Sequence, residues 1–312
     1  MQSLIEVILP VFLLIGFGYL AAWRKLFSDV AVDALMRFAL AFAIPVLLFS
    51  AIARLDLGNS FNMPLMVAFY GGAFSGFVFA WAGARFIFGR SAQEAIVIGF
   101  AGTFSNSLLL GIPITERAYG ADALVWNFAI ISVHAPSIYG FGIIMMELTR
   151  AREQGLSPGR MLRQVFRMMF KNPLVIGIGA GFAVNISGVS LHGAIWSAVD
   201  MLSGAAIPAA LFGLGGVLVR YRPEGDMRMI AWVCVASLLV HPGVTWLLAS
   251  HVVMLDPAPL RSAVVAAAVS TGVNAYLFAD MYGLAKRVAA STVLIGTALS
   301  LITVTGWLMV LG

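Results

Sequence analysis

Ten long apolar runs separated by short polar turns cover almost the whole chain, near residues 4–22, 34–53, 63–88, 95–118, 122–147, 172–188, 193–219, 229–253, 260–283 and 288–311. A helix needs roughly 20 apolar residues to cross a hydrocarbon layer about 30 Å thick. The pattern therefore predicts an all-α polytopic protein of ten transmembrane helices, multi-pass in the cell membrane, inner or plasma. The first run reads as a span and not a cleavable signal, because its first basic pair, Arg24-Lys25, follows it and no small-residue cleavage site ends it.

Two of the runs are interrupted by polar residues at mid-length. From Phe100 to Pro113 the chain reads FAGTFSNSLLLGIP, and its segment from Thr103 to Asn106 returns as Thr271-Gly-Val-Asn274 in the ninth run. A spanning helix satisfies its own backbone, so a Gly, Thr, Ser, Asn, Ser cluster followed by Gly111 and Pro113 predicts a break in the fourth span. Irregular backbone survives at that depth only when buried in protein or lining a polar cavity, and in transporters such breaks sit beside the substrate. Asn106 and Asn274 are accordingly the leading candidates for substrate binding, with Thr103, Ser105, Ser107, Ser270, Thr271 and Tyr276 beside them. In this reading Ser105 or Asn106 caps one half-helix and Asn274 its counterpart. Bridging of freed carbonyls is the competing structural role.

Charge adds orientation. Arg24, Lys25, Arg37, Arg85, Arg90, Arg150, Arg152, Arg160, Arg163, Arg167, Lys171, Arg220, Arg222, Arg228, Lys286 and Arg287 fall at alternate turns, against Arg54, Arg117 and Arg261 at the others. The positive-inside rule then puts both termini outside. Topology accounts for the net charge of +5 without nucleic acid as a partner. With 61% hydrophobic and 11% charged residues throughout, no separate soluble domain fits. Cys234 stands alone inside an apolar run and reads as a small buried hydrophobe.

An internal repeat organises the runs. Ala43-Ile44-Pro45-Val-Leu-Leu48-Phe49 recurs as Ala206-Ile207-Pro208-Ala-Ala-Leu211-Phe212, and Pro10 recurs as Pro173, both at an offset of 163. Five spans per half is odd, so the second half must enter the membrane from the other side, which is an inverted-topology repeat. The predicted organisation is a first five-helix repeat over 1–148, a basic cytoplasmic linker over 149–171 and a second repeat over 172–312. Pro45 and Pro208 are candidate kinks beside the site.

The stretches LPVFLLIGFGYLAAW (Leu9 to Trp23), AIPVLLFSAI (Ala43 to Ile52), SNSLLLGIPI (Ser105 to Ile114), VNAYLFADMYG (Val273 to Gly283) and STVLIGTALSLIT (Ser291 to Thr303) together resemble the auxin efflux carrier family in its short bacterial form. The resemblance implies broken fourth and ninth helices crossing at a central site, and transport of an organic anion: auxin in plant members, malonate and other small carboxylates in bacterial ones. Members usually carry a proline at the ninth-span break, where this chain has Val269-Ser270-Thr271-Gly272-Val273.

No Asp or Glu lies in the central turns of the broken segments, which argues against a cation exchanger. His134, His241, Asp280, Asp200 and Arg37 are the candidate proton relays or gates. The functional expectation is a secondary carrier moving a small carboxylate by alternating access, with protons or sodium as candidate coupling ions. It requires no cofactor or metal, and a homodimer is compatible with it. Three alternatives stay open: a sodium-coupled anion symporter of bile-acid-carrier type, an intramembrane hydrolase, and a non-transporting sensor.

Overall fold

The computed structural model describes residues 2–60, 62–154, 170–221 and 224–312. Twelve helices of ten or more residues dominate it. The first six are α1 (Gln2–Trp23), α2 (Asp29–Ala53), α3 (Met63–Ile87), α4 (Ala92–Thr103), α5 (Ser107–Gly111 continued by Ile112–Tyr119) and α6 (Leu124–Gln154). The others are α7 (Pro173–Ser187), α8 (Gly193–Leu218), α9 (Met227–Val252), α10 (Pro257–Ala268), α11 (Val273–Tyr282) and α12 (Lys286–Leu311). Among the described residues seven helices are long and apolar enough to cross a membrane: α1, α2, α3, α6, α8, α9 and α12. The chain is thus an all-helical, multi-pass membrane protein. The sixth apolar run forms only the 15-residue α7, and the fourth and ninth runs each fall into two shorter pieces. Most of the predicted linker, 155–169, lies outside the described residues.

Several surface helix starts carry side-chain caps. Ser91 and Glu94 form a capping box on α4, the Asn172 carboxamide oxygen accepts from the Leu174 N–H at 2.9 Å on α7, and Asp226 accepts from Arg228 and Met229 on α9. The long runs contain five-residue π turns at Ala39–Ala43, Gly83–Ile87, Ala236–Val240 and Leu248–Val252.

Helices in lipid gain little from burying apolar surface against one another, so close backbone approach carries much of the packing. Glycines provide it. A Cβ on Gly18 would run into the Phe212 carbonyl, one on Gly215 into the Ile15 carbonyl, and one on Gly177 into the Pro45 carbonyl. These contacts join α1 to α8 and α7 to α2, and α2 also packs on α8, giving one panel. The other body is built from α3 on α4, α9 on α10, α3 on α9, α4 on α6 and α11 on α12. Gly76 and Gly102 meet there backbone to backbone, and Gly72 lies under His241 and Thr245. The two bodies meet along α5, α6 and the breaks in the fourth and ninth runs.

Candidate functional site: two interrupted helices and the cavity beside them

Helix α4 stops at Thr103 because Phe104 (φ −84°, ψ 87°) leaves the helical region, and α10 stops at Ala268 because Val269 is extended (φ −74°, ψ 154°). The two extended pieces lie antiparallel, with Ser105 opposite Thr271. The Asn106 N–H donates to the Ser270 carbonyl and the Gly272 N–H to the Phe104 carbonyl, each at 2.8 Å. An unpaired backbone group at this depth costs several kcal/mol, so this reciprocal pair removes the main penalty of a double break. It also explains why the ninth run breaks without a proline. Hydroxyls supply donors to carbonyls of the interrupted helices: Thr271 Oγ1 donates to Ala101 O at 2.9 Å and Ser107 Oγ to Ala266 O at 2.9 Å.

The helices that restart, α5 and α11, have no side-chain cap. Asn106 and Gly272 occupy the cap positions and neither supplies a side-chain hydrogen bond, so the expectation that Ser105, Asn106 or Asn274 caps a half-helix is corrected. Asn274 sits two residues inside α11, where the Tyr139 hydroxyl reaches its carboxamide oxygen at 3.2 Å. First-turn N–H groups have no intrahelical acceptor, and they carry the positive end of the helix dipole. Both first turns line one cavity of about 60 Å³, through Ser107, Leu108 and Leu109 of α5 and Val273 and Asn274 of α11. Ser105, Asn106 and His134 complete its polar lining, and Met36, Leu40, Leu48, Ile131, Leu174 and Ile178 its apolar wall.

Asn106 is 6% exposed and His134 4%. The Asn106 Nδ2 and both ring nitrogens of His134 are buried without a hydrogen-bond partner. Such atoms cost free energy until something pairs with them, so this mainly apolar cavity offers an occupant a few polar groups to pair with. It shares Met36, Leu40, Ala135, Leu174, Asn274 and Leu277 with a wider vestibule of about 570 Å³, which runs past Tyr139 to Arg37 and Lys171. Among the described residues no Asp or Glu lines either space. On the other side, buried Leu48, Leu109, Ile131 and Ile178 close the cavity within an apolar core.

A family model described as membrane transport protein, that of the auxin efflux carriers, matches residues 3–308. The chain belongs to that family. Over 308 residues this family member is 27% identical to the "Putative malonate transporter" of Rhizobium meliloti (strain 1021), covering 99% of this chain and 96% of the relative. Over 313 residues it is 24% identical to an "Uncharacterized transporter" of Methanothermobacter thermautotrophicus, covering 98% of each. The family and both relatives carry the names of membrane transporters and not of enzymes.

The remaining candidates of this family member are scattered. Thr103 donates to the Ala73 carbonyl at 2.6 Å, and Ser270 pairs with Thr297 at 3.2 Å, so both hold the fold beside the cavity without lining it. Tyr276 packs against Tyr221 with ring centroids 5.1 Å apart. Pro45 and Pro208 lie in the α2–α7–α8 panel and do not line the cavity. His241 is buried behind Phe69, 5.3 Å from that ring, away from the cavity lined by His134. Asp280 pairs with Lys286 at 2.7 Å and Asp200 with Arg54 at 2.9 Å. Arg37 stands in the vestibule. Tyr139, Lys171 and Phe104 were not singled out from the sequence. Lys171 signalled only topology there, and nothing in the local sequence of the aromatic residues shows what they face.

Proposed function

We propose that this protein is a secondary carrier for a small carboxylate, and that α4 with α5 and α10 with α11 act as two broken spans crossing at its binding site. Together with the seven long helices and α7 they make ten spans, arranged as inverted repeats over 1–148 and 172–312 around the linker 149–171. The repeat finds support in reciprocal packing: Gly18 lies against the Phe212 carbonyl, and Gly181, 163 residues on, lies against the carbonyl of Phe49, 163 residues before Phe212. On the positive-inside rule both termini face outward and the Arg37–Lys171 vestibule opens to the cytoplasm.

One observation carries the substrate reading. A cavity without a carboxylate side chain is lined by two uncapped helix starts and by an unpartnered amide donor, Asn106 Nδ2. Helix starts of this kind hold anions, and the carboxamide adds a donor for a carboxylate oxygen. The name of the Rhizobium relative suggests malonate as the first ligand to test. Alternating access then amounts to the α3–α4–α9–α10 body moving against the panel of α1, α2, α7 and α8, opening the site to each side in turn.

The test is reconstitution into proteoliposomes with a panel of mono- and dicarboxylates, with and without pH, voltage and sodium gradients. Saturable carboxylate flux supports the reading. Strict dependence on sodium would favour a symporter of bile-acid-carrier type, and binding without flux would favour a sensor.

A further inference from the structure

We propose that His134 is the proton-carrying residue of the site, contacting the bound carboxylate directly, so that one proton crosses with each anion; this rests on the carboxylate reading above. His134 comes from α6, a helix that neither break involves, yet its ring lines the same cavity as Asn106. Phe104 and Phe69 pack edge-on against it, with centroids 4.7 and 5.5 Å away. Among the described residues neither ring nitrogen of His134 has a hydrogen-bond partner; the same is true of His241, but only His134 lines the cavity, where an occupant can reach its ring.

The surroundings decide what that ring can do. Helix α3 contributes Phe69 and Tyr70, and the Tyr70 hydroxyl donates to the Ile130 carbonyl. The first break contributes Phe104, Ser105 and Asn106, α9 contributes His241 across Phe69, and α11 contributes Asn274, held by Tyr139 of α6 itself. Among the described residues no acidic side chain lines the cavity, and the charged side chains of the vestibule, Arg37 and Lys171, are cations. An imidazolium here has no resident counter-ion, and burying one unpaired is costly. A carboxylate supplies the missing charge. The imidazolium in turn neutralises the anion, so each favours binding of the other by the same factor. On the opposite side the anion leaves, the ring reverts to neutral imidazole and the proton leaves with it.

The experiment measures malonate accumulation in proteoliposomes with the voltage clamped at zero by potassium and valinomycin. One coupled proton sets the accumulation ratio at about tenfold per pH unit of gradient. In His134→Gln the ratio should fall to about one, and any remaining malonate exchange should become flat with pH, whereas His241→Gln keeps the wild-type gradient response. Nitrogen NMR of the imidazoles in wild-type protein gives a readout independent of the variant's folding. Malonate should shift one histidine signal toward imidazolium, and that signal belongs to His134. Gradient-driven accumulation that survives in His134→Gln, or a His134 signal indifferent to malonate, overturns the proposal while leaving the carboxylate site intact. Absence of wild-type flux for every carboxylate overturns the site reading itself.

Discussion

Replacing Asn106 with Ala separates a binding role from a folding role, because the two predict opposite signs. The backbone of Asn106 is fixed by its N–H bond to Ser270 at 2.8 Å, and Ala keeps that bond. The side chain contributes no cap, and its Nδ2 is buried without a partner. Removing an unsatisfied buried donor relieves a desolvation penalty of about 1–3 kcal/mol, so the variant should have an unchanged or higher Tm. Substrate binding should suffer instead. A hydrogen bond to a charged group contributes about 1.5–3 kcal/mol, which corresponds to a loss of roughly 10- to 150-fold in affinity. The assay pairs thermal unfolding of purified protein with initial rates of malonate uptake over a concentration range. A fall in Tm with unchanged uptake would refute the reasoning, since it would make Asn106 a structural residue.

Other outcomes follow from the same geometry. Asn274→Ala should also lower flux, but by less, because its carboxamide oxygen already accepts from Tyr139 and only its remaining valences serve the ligand; a larger loss than in Asn106→Ala would reverse their order. Gly18→Ala and Gly181→Ala force a Cβ against backbone and should each cost about 1–3 kcal/mol, lowering Tm, whereas Gly179→Ala meets open space and should not. Charge reversal of Arg37 and Lys171 together should raise KM roughly tenfold, with a weaker effect at high salt, because the vestibule loses the field that draws anions in. Asp200→Asn breaks a half-exposed ion pair with Arg54, so stability should change by less than about 1 kcal/mol and flux should stay within a factor of two; a large flux defect would identify Asp200 as a gate.

How far the site could be read in advance depended on whether the deciding contact was local. The break after Thr103 was legible because its Gly, Thr, Ser, Asn cluster cannot sustain a lipid-facing helix. The second break was less so, since its cause is the pairing of residues 104–106 with 270–272 and not a proline. Thr271 and Ser107 looked like ligand groups, but their donors serve carbonyls 170 and 159 residues away. His134 and His241 were equivalent as letters in apolar runs. Only the packing of Phe69 between them puts one ring at the cavity and the other behind it. The π turns within α2, α3 and α9 have no signature in the hydropathy pattern.

The most direct test of the account is to locate a carboxylate in the molecule. Crystals or lipid-phase crystals grown with bromomalonate would report the ligand through anomalous scattering of its bromine. The account predicts a peak beside residues 105–108 and 272–274, within reach of Asn106 and His134. A fully occupied peak elsewhere in the helical bundle, with that cavity empty, would contradict it.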